Sequence, residues 1–167
     1  MLQDTDLKFA YRTTPTGLYL FSTMREGRRN VQFAFRALGV WEDPPLLIVG
    51  VQHSNYSLET IQETREFVLN VCSEQQLHAI DRSRGLHGNE VEDKFAILGL
   101  EAIPATHVKA PMVAGCHANV ECEVVSSMPT EGAMTIFLAR ALACHVDPDL
   151  PPVGRLAGKT FRLEGPI

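Results

Sequence analysis

The sequence predicts a mainly β domain, a β-barrel carrying peripheral helices. Three observations lead there. Apolar and aromatic runs of strand length recur along the chain, some of them alternating with a period of two. Glycine, proline and aspartate clusters separate these runs. Two short segments change to helical spacing, and no repeat, low-complexity block or linker divides the 167 residues. One domain over residues 1–167 is therefore expected, large enough to bury a core of its own.

Leu18 to Thr23 is short, apolar and aromatic, as a buried strand should be. Arg25 to Arg29, with Gly27, supplies a polar turn. Val31 to Val40 reads as a second strand, bent near Gly39. Glu42-Asp43-Pro44-Pro45 breaks it, because proline lacks an N–H and restrains its predecessor. Leu46 to Val51 follows as the most apolar strand. Ser57 to Thr64 then takes helical spacing, with Ser57 as N-cap, Glu59 in the first turn, and Leu58 and Ile61 on one face. Phe67 to Val71 is a strand, and Glu74 to Arg82 a second helix with Leu77 and Ile80 inward. Residues 83–115 read as irregular. Val120 to Val124 alternates as a half-buried strand, Thr135 to Val146 is a long apolar strand, and a last short segment surrounds Phe161.

Composition removes several classes. Hydrophobic residues make up 45% and charged residues 21%, which excludes a disordered tail, a coiled coil, a collagen-like rod and a disulfide mini-protein. The net charge is −5, and the one basic cluster, Arg25, Arg28 and Arg29, reads as a solvated turn, so no nucleic-acid partner is expected. No apolar run approaches the roughly 20 residues of a membrane span, so no membrane is expected either. Met1 to Asp6 lacks a basic stretch followed by an apolar one, which points away from a signal peptide and towards the cytoplasm. Cys72, Cys116, Cys122 and Cys144 form no C-x-x-C pair and are expected to be reduced, mostly buried thiols. Cys116-His117 with Cys122 has the elements of a metal site, but Cys122 sits in an alternating strand, where a core thiol is the simpler reading, so no metal is expected.

The junction His53-Ser54-Asn55-Tyr56-Ser57 is the strongest local feature. A helix start after a buried strand presents free N–H groups to a phosphate, and Ser54, Asn55 and Ser57 add side-chain donors. An ordinary N-cap in a polar loop explains the same residues. No P-loop, dinucleotide fingerprint, G-x-S-x-G elbow or H-E-x-x-H is present. Asn119, Glu121 and Glu123 share one strand face and read as solvated, while His78, His87, His107 and His117 fall in helix or loop contexts. His145, ending the long apolar strand, reads equally as a core residue or a site residue. The residues by themselves reach a β-barrel enzyme or binding domain with a phosphate site, and no further.

A set of ordered segments resembles the flavin reductase-like, FMN-binding split-barrel family. They are Asn30-Val31; Asp43-Pro44-Pro45-Leu46; Ser57 with Ile61 and Glu63 to Val71; Asp93-Lys94-Phe95 with Gly99-Leu100; Ala110-Pro111 with Glu121-Cys122; and Cys144-His145-Val146-Asp147. The resemblance implies a six-stranded split barrel, a homodimer with FMN near its interface, and reduction of flavin by NADH or NADPH. It implies that Asn30, Val31, Gln32 and Phe33 line the isoalloxazine ring, with Gly50 and Val51 on the facing strand end. Ser54, Asn55 and Ser57 match the phosphate loop, and Lys94 matches a lysine contacting phosphate or flavin. His145 matches a late histidine, implied to orient nicotinamide or exchange a proton. Electrons would pass on to an oxygenase or another acceptor. Flavin supplies the hydride chemistry, which accounts for the lack of an evident acid/base pair. Phe33 and Phe35 stand where small hydroxyl residues are common in the family, and Asn55 where a basic residue is common. An FMN-binding electron-transfer protein without its own NAD(P)H turnover is the alternative, and a flavin-free member of the fold binding haem or another small molecule is a third.

Overall fold

A computed structural model describes residues 6, 10, 13–34 and 36–163. In chain order the strands are β1 (Thr16–Gly17), β2 (Tyr19–Arg25), β3 (Arg28–Ala34), β4 (Ala37–Glu42), β5 (Pro45–Gln52), β6 (Glu66–Val71), β7 (Ala102–Ile103), β8 (Met112–Val113), β9 (Ala118–Pro129), β10 (Met134–Val146), β11 (Val153–Leu156) and β12 (Lys159–Arg162). The helices are α1 (Tyr56–Thr64), α2 (Leu77–Arg82), preceded by a 3-10 turn over Glu74–Gln76, and α3 (Lys94–Leu98).

Seven strands form the main antiparallel sheet, in the order β3-β2-β6-β9-β10-β5-β4. Its two edge strands are consecutive in the chain. Ala34 ends β3 and Ala37 begins β4, so three residue steps, at most about 11 Å, separate them. The sheet must therefore roll until its edges meet. Among the described residues the two edges do not pair with each other, which leaves the barrel split along that seam. The interior is filled by Phe21, Ala34, Val49, Val51, Phe67, Phe137 and their neighbours, and α1 closes it with Ile61. Phe21 and Phe67 meet edge to face at 5.7 Å.

The long strands show why one face turns inward. In β10, Thr135, Phe137 and Ala139 are buried while Ile136 and Leu138 between them are half-buried. In β5, Leu47, Val49 and Val51 point in and Leu46, Ile48 and Gly50 point out. In β2 both faces are covered. Phe21 joins the barrel interior, whereas Leu20 joins a second core with Val31, Phe95, Leu98 and Val153, built between the barrel wall and α2, α3 and β11. β11 also carries β1 and β12, forming a three-stranded sheet. A closed ring of backbone bonds joins this sheet to the barrel. Leu18 N–H donates to Val153 O (3.0 Å), Val153 N–H to Cys72 O (3.0 Å), and Cys72 N–H to Leu18 O (2.9 Å).

Most expected elements are found, with four differences. The expected strand from Val31 to Val40 is two strands, because β3 ends at Ala34 on one sheet edge and β4 begins at Ala37 on the other. Seven strands, not six, therefore make the main sheet. The stretch 83–115 is not wholly irregular, since it holds α3, β7 and β8. Ser57 is not the N-cap; Asn55 takes that position in extended conformation, and its side chain makes no capping bond.

Candidate functional site

Two buried side-chain polar atoms among the described residues have no hydrogen-bond partner, Thr23 Oγ1 and Asn30 Oδ1. They belong to residues paired directly across β2 and β3. Asn30 is 2% exposed, and its Nδ2 donates to Ser57 Oγ at 2.8 Å. That bond explains the shifted helix start, because Ser57 turns into the protein instead of capping. Unpaired buried polar atoms are costly, so this pair marks a place suited to a polar ligand atom.

Above it, the Tyr56 ring lies between the guanidinium groups of Arg25 (5.5 Å) and Arg28 (5.2 Å). Arg28 also donates to the carbonyls of Gly88 and Val91, drawing the 88–91 segment onto the start of α1. Only glycine fits at 88, since a Cβ there would stand 2.5 Å from Asn30 Oδ1 and 2.9 Å from Tyr56 Cδ1. A surface hollow of about 870 Å³ lies between this turn and the loop, but Glu26, Glu90, Glu92 and Asp93 rim it, which disfavours an anion.

Lys94 opens α3. Asp93 caps that helix by accepting from Phe95 N–H and Ala96 N–H, and it forms an ion pair with Arg29 that holds its carboxyl below the usual range. Lys94 itself is 6% exposed, and burial pushes its ammonium pKa down. With Gln32, Phe33, Ile80, Ser83, Arg84 and Arg155 it lines a cavity of about 260 Å³.

The structure thus gathers some expected site residues and separates others. Gln32, Phe33 and Lys94 share the cavity, and Asn30 meets Ser57. The side chains of Val31 and Val51 fill the two cores, which leaves only their backbones to face a ring. Ser54 is exposed and Asn55 half-buried, in the turn before α1. Gly50 faces outward, its N–H bonded to Arg36 O at 2.9 Å, where a Cβ would come within 2.7 Å of Met134 Cε. Phe35 lies outside the described residues.

His145 stands apart. The row Phe33–Leu20–Asn70–Asn119–His145 crosses four strand spacings, about 19 Å. Along β10, nine residues and about 30 Å of strand separate His145 from Ile136, the partner of Gly50.

What His145 does contact is a residue expected to be solvated. Glu121 is fully buried and its neighbour Asn119 nearly so; only Glu123 is exposed. The solvated-face reading fails because the loop 104–113 folds over this part of β9. Glu121 accepts the backbone N–H groups of Thr106, His107 and Val108, the Thr106 hydroxyl (2.8 Å), and His145 Nε2 (2.9 Å). Burial opposes its ionisation and is the largest single influence. The bonds from Thr106, His145 and His107 together outweigh it and bring the carboxyl down to about 2. The donors lie 13–15 residues upstream, so nothing local to Glu121 signals this arrangement. Beside it, Asn70 Nδ2 donates to Leu20 O (3.0 Å) and Ser22 Oγ (3.0 Å), while its Oδ1 accepts from Val113 N–H (2.9 Å) and Asn119 Nδ2 (2.7 Å). Among the described residues, no cluster of three His, Cys, Asp or Glu side chains could hold a metal. No described helix is long and apolar enough to cross a membrane.

Comparison with known proteins places the geometry in a group. The model of a flavin reductase like domain matches residues 11–160. An uncharacterised protein of Archaeoglobus fulgidus is 35% identical over 99 residues, covering 59% of this chain and 55% of the relative. One from Halalkalibacterium halodurans is 31% identical over 129 residues, covering 63% of this chain and 61% of the relative. The match thus spans less than two thirds of the length of either. Among solved structures, nitrilotriacetate monooxygenase component B from Bacillus cereus superposes with a TM-score of 0.84 at 22% identity, over 100% of this chain and 98% of that one. Flavoredoxin of Desulfovibrio vulgaris gives 0.83 at 24% identity over 99% and 96%. The NADH:FAD oxidoreductase SgcE6 of Streptomyces globisporus gives 0.81 at 20% identity over 95% and 92%.

Proposed function

The chain belongs to the flavin reductase-like family, and from that premise we propose that it is an FMN-binding oxidoreductase whose flavin is reduced by NADH or NADPH. The supporting observation is the polar equipment around β3. Asn30 Oδ1 and Thr23 Oγ1 are buried without partners, and Lys94 brings a cation into a 260 Å³ cavity lined by Gln32 and Phe33 of the same strand. These residues fit a phosphorylated, ring-bearing cofactor. Burial disfavours the charged form of Lys94, so an anion beside it would recover stability. The unpartnered Oδ1 of Asn30 would accept a donor from the cofactor, and Phe33 would offer a ring face in the cavity. The exposed turn Ser54-Asn55 and the first N–H groups of α1 add donors for phosphate. Bound flavin supplies the hydride-transfer chemistry, and the protein holds and tunes it.

The cavity is smaller than the roughly 300–1,000 Å³ of pockets that enclose a drug-sized ligand. A homodimer, in which a second copy completes the site, accounts for the shortfall. In this reading His145 takes no direct part in its own chain's site, given its separation from Phe33 and Gly50. The similarity to a component B of a monooxygenase supports an oxygenase, or another electron acceptor, as the downstream partner. Buried Cys72, Cys116 and Cys122, all free thiols, suit a reducing cytoplasm.

The flavoredoxin-like shape and Phe33 favour a second reading, an FMN-binding electron carrier without its own NAD(P)H turnover. An absorbance spectrum of the purified protein, followed by NADH oxidation with added FMN, decides the matter. A flavin band with many turnovers supports the reductase. Tight yellow protein without turnover supports the carrier, and a colourless protein indifferent to FMN would overturn both.

A further inference from the structure

The cavity of about 260 Å³ bounded by β3, α2, α3 and β11 is cationic in an acidic protein. Three of its seven lining residues are Arg84, Lys94 and Arg155, and none is an acid, although the chain carries a net charge of −5. Lys94 is 6% exposed, and among the described residues no hydrogen bond or ion pair engages its ammonium. Arg84 stands at the rim. Its pair with Asp81 spans 3.2 Å, but the two side chains are 74% and 86% exposed, so water screens it and a stronger anion can displace it. Arg155 is steadied across the rim by donating to Gly158 O at 2.8 Å. Gathering three cations around one small cavity costs repulsion and desolvation that a bound anion offsets.

We propose that this cavity reads a second phosphate, the 2′-phosphate of the pyridine nucleotide, with Arg84 and Arg155 as the residues that select NADPH over NADH. The inference rests on the functional reading, in which the turn before α1 meets the flavin's own phosphate, and adds a second anion to it. The two places lie on opposite faces of β3, an edge strand. Asn30 turns to Ser57 and α1, whereas Phe33, three residues on, has the opposite parity and packs against the second core. A phosphate held at α1 therefore leaves the cations of the other face for another group. A cavity of about 260 Å³ is too small to enclose a whole dinucleotide and suits one phosphate-bearing end of it. A phosphate monoester carries close to two negative charges at neutral pH and offers three oxygens, which match two guanidinium forks and an ammonium. The bridging diphosphate of FAD is esterified on both sides and presents one charge on each phosphorus, a poorer match.

Calorimetric titration of the purified protein with adenosine 2′,5′-bisphosphate and with adenosine 5′-monophosphate tests the site without turnover. The 2′-phosphate should tighten binding roughly tenfold, and added salt should remove much of the difference. Arg84→Ala and, independently, Arg155→Ala should each cut that preference several-fold while circular dichroism remains that of a folded protein. In assays with FMN, kcat/KM for NADPH should exceed that for NADH, chiefly through KM, and Arg84→Ala should bring the two together. Equal binding of the two adenosine ligands overturns the inference, as does a preference that survives both substitutions. FAD bound more tightly than FMN, with NADPH and NADH used alike, would give the second phosphate to the flavin and overturn it too. A protein that prefers the bisphosphate but ignores FMN overturns the flavin reading alone. FMN-dependent oxidation of NADH with no gain from the 2′-phosphate overturns the selectivity alone.

Discussion

The two halves of the main sheet begin from similar sequence and end differently. In the β3-β2-β6 half, Phe21 faces the barrel and Leu20 faces a second core closed by Phe95 and Leu98. In the β4-β5-β10 half, Val49 faces the barrel, but Ile48 and Leu138 on the opposite face are only half-buried and join none of the cores of the described residues. An apolar run such as Leu46 to Val51 therefore does not say that its own chain covers it. Both faces being apolar says only that both will be covered by something.

Four substitutions would sharpen or break this comparison. The largest effect belongs to the doubly covered half. Phe95→Ala should lose about 3–5 kcal/mol in denaturant unfolding, because the fully buried ring leaves a cavity under α3. A loss under 1 kcal/mol would mean that the second core is not well packed.

Glu121→Gln comes next. It keeps the shape but weakens the bonds to three backbone N–H groups, and should cost about 2–3 kcal/mol at pH 7. Its pH dependence has a definite sign. The folded carboxyl sits at about 2 against an ordinary value of 4.5, so its stabilisation is present above 4.5 and is lost as pH falls towards 2. Wild type should lose stability over that window more steeply than Glu121→Gln. Parallel pH curves for the two proteins would remove the carboxylate from the account.

Ser57→Ala should have a smaller effect on the fold, about 1 kcal/mol, from the lost acceptor for Asn30 Nδ2. FMN affinity should fall several-fold as Asn30 loses its orientation, and titration of FMN fluorescence reads this directly. Unchanged affinity with a lower melting temperature would leave Ser57 a purely structural residue.

Trp41→Ala should be the mildest. In dilute, monomeric protein it should change stability by less than about 0.5 kcal/mol, since the ring is mostly in water there. A cost as large as that of Phe95→Ala, under those conditions, would erase the distinction between the halves.

Much of the fold can be read from local pattern. The alternation in β10, the period change at α1 and the breaker at Asp43-Pro44 each carry their own signal. What pattern misses is set by distant partners. Val31 to Val40 looks continuous, yet the chain crosses from one sheet edge to the other within it. Ser57 has the chemistry of a cap, but a buried asparagine 27 residues earlier claims its hydroxyl. Glu121 and Glu123 look alike in sequence, and only the loop folded over the first tells them apart. For the candidate site, the residues of β3 and Lys94 follow from the ordered motifs and do meet, whereas His145 shares the motif series without sharing the location.

The ring of hydrogen bonds through Leu18, Cys72 and Val153 has a kinetic consequence. Each residue donates to one member and accepts from the other, so the three segments brace one another and opening one amide weakens the support of the other two. All three residues are buried. Their amides should exchange with deuterium only through global unfolding, at the slowest rate in the molecule, although Leu18 follows a strand of two residues and Val153 begins one of four. The segment after residue 150 then behaves as a keystone of the barrel: cutting the chain there would release Leu18 and Cys72 to solvent together.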